Sequence, residues 1–266
     1  MCADPSLPVR EQRHGVAIVV RRWLLPLLPF VFFAAIYSSM NLLPNYKVRP
    51  VDIEGVHAAE LQWFGIGEET PSEYCYARHT AFLDVLSGCF YLLWVPLPVF
   101  FCLWLCWEGE PRHALRFSSA FLVVNLVGFL GYYIHPSAPP WYYMFFGTDF
   151  IASTPGNMAG FARFDALTGL PLFASIYEKN ANVFAAIPSL HVAYNLVAAY
   201  YAWLFGHRRV WLPLLLVVSA GISFSAVYSA HHYVIDVLLG WLTALVGILL
   251  FEGMGRLICR INLKRR

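Results

Sequence analysis

The feature that most constrains this chain is a series of long apolar runs, too many and too continuous for a water-soluble core. A helix needs roughly 20 predominantly apolar residues to cross a bilayer. Six stretches approach that length: Trp23–Leu43, Phe82–Trp107, Phe117–Ile134, Ser189–Phe205, Val210–Tyr228 and Tyr233–Cys259. Only 13% of the 266 residues are charged, against about 25% in soluble domains, which leaves no room for a separate soluble unit. The expected fold is all-α, a polytopic membrane protein built as a six-transmembrane-helix bundle. It would comprise a cytoplasmic segment 1–22, a membrane domain 23–259 and a basic tail 260–266. The first run is too long and too late for a secretory signal. The six cysteines are scattered without CxxC pairs and read as small buried hydrophobes.

Charge sets the expected orientation. Arg10, Arg13, Arg21, Arg22, Arg112, Arg116, Arg208, Arg209 and the basic residues from Arg256 to Arg266 all fall on one side of the alternating spans. The positive-inside rule then places both termini in the cytoplasm. A net charge of +2 gives no footprint for nucleic acid. Two outward segments are long. In the first, Val51–Ile66 is mildly amphipathic and suits a helix lying on the surface. The second, 135–187, is too long for a passive connection. Rich in Pro, Gly and aromatics and poor in charge, it is expected to form an ordered cap loop.

The polar residues near the span ends carry the chemistry. Span four opens on Pro188-Ser189-Leu190-His191, and span six on His231-His232-Tyr233-Val234-Ile235-Asp236. Both spans run inward, and span three ends outside at His135, so these clusters share one face of the membrane. Ionisable residues inside spans are costly and mark function by default. Asp236 lies four residues after His232, on the same helix face. Its carboxylate can fix one ring nitrogen and leave the other free to attack phosphorus. Asp236 is five residues after His231, a poorer alignment, so His232 is the expected nucleophile and His231 a supporting residue of the site. Ser189 is expected to cap span four, placing His191 in the first turn, where free amides favour a phosphate. His191 would serve as general acid and base. His135 and Asp84 are further candidates for a supporting role.

These motifs resemble the type 2 phosphatidic acid phosphatase superfamily, whose members share a six-helix core, a P-S-x-H motif and a later His-x-x-x-Asp. Ordinary members place Gly where Leu190 stands and Ser-Arg where this chain has Ser225-Ala226. They also carry a Lys followed seven residues later by Arg-Pro, which is missing here. The same departures resemble the inositol phosphorylceramide synthase branch. So do Leu43-Pro44-Asn45-Tyr46-Lys47, Pro136-Ser137-Ala138-Pro139-Pro140-Trp141-Tyr142, Ala162-Arg163-Phe164-Asp165 and His231-His232-Tyr233. The resemblance implies catalytic His191, His232 and Asp236. It also implies transfer of phosphoinositol from a phospholipid donor to a ceramide-type lipid alcohol, with no cofactor and no metal. A small membrane partner subunit would be compatible with it. The alternative is a phosphatase of lipid phosphates or polyprenyl diphosphates with the same triad.

A transferring phosphoryl group needs positive charge on its oxygens. With the usual arginines missing, Arg163 is the expected phosphate ligand, followed by Lys47, with Arg49, Arg78 and Lys179 as weaker candidates. The apolar cap around Trp141 would keep water from the intermediate.

Overall fold

The computed structural model describes residues 19–152, 154–178 and 182–264. The expectations that rested on Arg10, Arg13, Lys179, Arg265 and Arg266 lie outside the described residues. Among the described residues twelve α-helices follow in chain order: α1 Leu25–Ser39, α2 Glu54–Phe64, α3 Pro71–Ala77, α4 Ala81–Tyr91, α5 Pro96–Trp107, α6 Pro111–Ile134, α7 Pro140–Phe146, α8 Ala162–Thr168, α9 Leu172–Tyr177, α10 Leu190–Leu204, α11 Trp211–Tyr228 and α12 Val234–Lys264. The protein is an all-α, polytopic integral membrane protein.

The span count differs from the sequence expectation. Among the described residues, four helices are long and apolar enough to cross a membrane, and a fifth span forms if α4 and α5 count as one. Phe82–Trp107 is therefore not a single rod, because it bends by 42° between those helices. Pro96 and Pro98 cause the break: each lacks an N–H, so the carbonyls of Leu92 and Trp94 lose their helical partners. The fourth expected span survives as α10, with 15 residues, about 22 Å of helix against roughly 30 Å of hydrocarbon. The buried segment Phe184–Ser189 leads into it.

Two other boundaries move. The first helix stops at Ser39 rather than Leu43, because the side-chain amide of Asn45 is drawn inward to the carbonyls of Tyr132 (2.9 Å) and Phe184 (2.8 Å). The last helix runs past Cys259 to Lys264, since the cations at Arg256 and Arg260 suit a helix C-terminus.

Helix α10 is the hub, packed against α6, α11 and α12, while α1 leans on α6. A Cβ at Gly128 of α6 would sit 2.5 Å from the Leu190 side chain, and one at Gly240 of α12 would sit 2.2 Å from the Ser189 carbonyl. Glycine at both positions lets α6 and α12 close on the start of α10. At the other end of the bundle, Arg116 of α6 pairs with Glu252 of α12, which also accepts a bond from the Tyr201 hydroxyl (2.7 Å).

The outer segments form a built cap, as the composition of 135–187 suggested. Asp52, Ser137 and Ala185 lie side by side. The Asp52 amide donates to the Pro136 carbonyl (2.8 Å) and the Ser137 amide to that of Phe184 (3.0 Å). The cap is tied to the turn before α12 by bonds from Trp141 N–H to the Ala230 carbonyl (3.0 Å) and from Gly160 N–H to that of Ser229 (2.9 Å).

Candidate active site

His191 occupies the first turn of α10, His232 the turn just before α12, and Asp236 the first turn of α12. The structure brings the three into one line. His232 Nδ1 lies 3.2 Å from Asp236 Oδ2, and His232 Nε2 lies 3.2 Å from His191 Nδ1. Asp236 Oδ2 also accepts the Tyr233 N–H at 2.9 Å. With Asp236 ionised and able only to accept, His232 donates from Nδ1 and keeps its lone pair at Nε2. His191 then donates from Nδ1 to that lone pair. The lone pair of the expected nucleophile thus points at the expected acid, and a phosphorus atom reaches it by entering between the rings.

Burial is nearly complete. Asp236 is 0% exposed, and His231 and His232 are each 5% exposed. Burial pushes both of these imidazoles down to about 3, so they rest neutral. Aromatic rings hold His191: Tyr91 stacks at 5.0 Å between centroids, and Trp94 lies at 4.5 Å.

His191, His231 and His232 line one cavity of about 340 Å³. It runs from the cap, at Trp141 and Tyr177, down to Phe33 and Tyr37 of α1. No Lys or Arg is among the described residues that line it. The His231 ring stacks on Phe161 and Tyr177, and its Nε2–H donates to the Met158 carbonyl at 2.7 Å, a bond into the cap.

Several expected ligands lie elsewhere. Ser189 occupies the N-cap position just before α10, but its hydroxyl makes no capping bond; its amide instead donates to the Asp236 carbonyl at 3.0 Å. In place of the expected cap there is a backbone tie between the starts of α10 and α12. Lys47 is exposed in a 3-10 turn away from the cavity wall. Arg78 pairs with Glu69 at 2.8 Å, His135 lies 3.2 Å from Asp52, and Arg49 donates to the Ile134 carbonyl at 3.1 Å.

Arg163, the expected phosphate ligand, is not on the cavity wall. Its Nε donates to Asp84 Oδ1 at 2.8 Å, and its guanidinium lies over the Tyr76 ring at 4.7 Å. Asp84 also accepts the Tyr228 hydroxyl at 2.9 Å and faces His79 at 3.0 Å. The pair clamps α8 of the cap to α4 and to the end of α11. Breaking a buried pair leaves a carboxylate without its counter-charge, so Arg163→Ala should lower stability by about 3 kcal/mol. Lysine should recover only part, since it cannot both stack and present a planar Nε–H. Thermal unfolding of the purified variants in detergent reads this directly. An unchanged midpoint with slow turnover would return the guanidinium to the phosphate.

Sequence reasoning missed two features. One is the aromatic wall from α1, α4 and the loop after it; nothing in the sequence brings Phe33 and Trp94 together. The other is Glu60 of α2, fully buried, whose carboxylate accepts the Val234 N–H (2.8 Å) and the Ile235 N–H (3.0 Å) at the start of α12. The signal was present: Glu60 stands four residues after Val56, on the buried face of an otherwise exposed helix.

Comparison with known proteins gives the family. A model of the PAP2 superfamily matches residues 55–250. The chain is 49% identical over 236 residues to a phosphoinositol dihydroceramide synthase of Bacteroides thetaiotaomicron, a match covering 87% of this chain and 77% of the relative. It is 26% identical to the inositol phosphorylceramide synthase catalytic subunit of Saccharomyces cerevisiae over 80% of this chain and 52% of that one. It is also 26% identical to the inositol phosphorylceramide synthase of Candida albicans over 87% of this chain and 48% of that one. The chain thus spans about half the length of these two fungal relatives. No solved structure shows a significant match.

Proposed function

The chain belongs to the PAP2 superfamily, and from that premise we propose that it is a phosphotransferase, moving a phosphoinositol-type headgroup from a phospholipid to a ceramide-type alcohol through a phosphohistidine. One observation carries the chemistry: the Asp236–His232–His191 line ends inside an aromatic cavity. The relatives' names supply the headgroup and the acceptor class.

The steps follow from the bonds. The phosphodiester enters between the two rings. His232 Nε2 forms a bond to phosphorus, and the bond from phosphorus to the diacylglycerol oxygen breaks. An anion beside His191 favours its protonated form, so His191 can give that oxygen a proton as it leaves. The acceptor's primary hydroxyl then gives its proton to His191 and its oxygen bonds to phosphorus, releasing His232. Asp236 offsets the positive charge that develops on His232 meanwhile. Water at this stage would turn transfer into hydrolysis, and the buried Trp141 and Tyr142 of the cap stand against it. The site faces the non-cytoplasmic side in this reading, opposite Arg112, Arg208 and Arg256, with both termini in the cytoplasm.

The test is purified protein with phosphatidylinositol, with and without ceramide or dihydroceramide, read by mass spectrometry of the lipids. The expected result is an inositol phosphorylceramide and diacylglycerol, both dependent on the added acceptor. Release of inositol phosphate at the same rate without acceptor would favour a hydrolase.

A further inference from the structure

We propose that Glu60 is a positioning residue of this site, a second carboxylate that sets the first turn of the catalytic helix and offsets charge developing on His232. The inference rests on the reading that His232 attacks phosphorus.

The first amides of any helix lack partners within it, and nearby Ser, Thr, Asn or Asp side chains usually supply them. Here the cap comes from 174 residues away in sequence. It is a carboxylate, 0% exposed, and each of its oxygens takes one amide: Oε1 that of Val234 and Oε2 that of Ile235. Burying a charge is costly. Burial is the main cause that raises the Glu60 pKa, and the Asp236 charge works in the same direction. A neutral cap would satisfy the same two amides without that repulsion. What the carboxylate adds is rigidity and a negative charge at the turn that carries Asp236.

Val234 and Ile235 are the two residues before Asp236. Fixing their amides fixes the turn in which Asp236 Oδ2 meets both the Tyr233 N–H and His232 Nδ1. When His232 bonds to phosphorus its ring becomes cationic, and a fixed anion in a dry site stabilises that charge without reorganising. The other charged or titratable groups facing Glu60 are Asp236, His57 and Tyr233, and His57 is itself bonded to Glu73 at 3.0 Å.

The experiment compares wild type, Glu60→Gln and Glu60→Asp as full-length protein in lipid nanodiscs, with rates counted per monodisperse molecule. Glutamine keeps an acceptor and removes the charge. Its kcat should fall at least about tenfold with KM for phosphatidylinositol unchanged, and single-turnover labelling of the enzyme should slow by the same factor. A folded Gln variant with wild-type kcat, or one in which only KM moves, would overturn the proposal. Should glutamine give no monodisperse protein, Glu60→Asp decides. Its charge is kept, so a kcat of about a tenth of wild type or better supports the role and a lower one overturns it. If wild type takes no label from phosphatidylinositol, the nucleophile reading fails, and the Glu60 ratio is then read on whichever lipid phosphate the protein does turn over.

Discussion

His232→Ala should lower turnover by about a thousandfold or more while leaving folded protein in the membrane. The ring borders the cavity and is oriented by Asp236 on one nitrogen, leaving the other to meet His191 and an entering phosphorus. His231, the adjacent imidazole, is bound to the Met158 carbonyl and sandwiched by Phe161 and Tyr177. The decisive measurement is covalent labelling. Wild type incubated with donor carrying radioactive headgroup phosphate, and no acceptor, should hold an acid-labile label that the variant lacks. His191→Ala should cost about 10²–10⁴-fold in turnover, the usual range for a general acid. Asp236→Asn is a finer probe. Its amide oxygen can still accept from Tyr233 and His232, but the charge is gone, so a loss of about 10²–10³-fold isolates electrostatics from orientation. Substantial labelling of a well-folded His232→Ala protein would end the phosphohistidine mechanism.

The second large effect concerns the donor. Phosphatidylinositol should be used at least about 100-fold better than phosphatidic acid, in kcat/KM, a difference of about 2.7 kcal/mol in transition-state stabilisation. A phosphodiester carries one negative charge and a phosphate monoester nearly two. The described cavity wall offers neutral donors and imidazoles but no Lys or Arg. Where ordinary superfamily members place an arginine, Ala226 is fully buried, and its carbonyl accepts the His231 and His232 amides, both at 3.0 Å. Parallel assays of the two lipids in one micelle check this. Rapid phosphate release from phosphatidic acid without headgroup transfer would reverse the assignment.

The His232–Asp236 contact was legible in the sequence because it is local: a spacing of four residues across the turn into α12 brings the two side chains together. That His191 joins this pair was expected only from a count of spans, and the 3.2 Å contact between the two rings now supplies it directly. The ion pair of Arg163 was not legible because its partner, Asp84, lies 79 residues away, and a cation in a loop beside a phosphate motif looks the same whether it faces substrate or a carboxylate. The bend in Phe82–Trp107 was written in Pro96 and Pro98, yet a hydropathy window sums over prolines and reports one span. Glu60 was passed over for a similar reason. Its face of the helix is visible in the pattern, but the amides it serves lie near the other end of the chain.

The ties between the cap and the turn at Ser229 and Ala230 have a consequence for how the protein is made. Ribosomes deliver the chain from its N-terminus, so the cap segment is made before its anchors have been synthesised. Until that turn emerges, the Trp141 and Gly160 amides have no carbonyls to meet and Glu60 has no helix to hold. The cap and Glu60 are therefore tied down only once the start of α12 has been made, and a chain stalled before that point lacks the bonds that fix them.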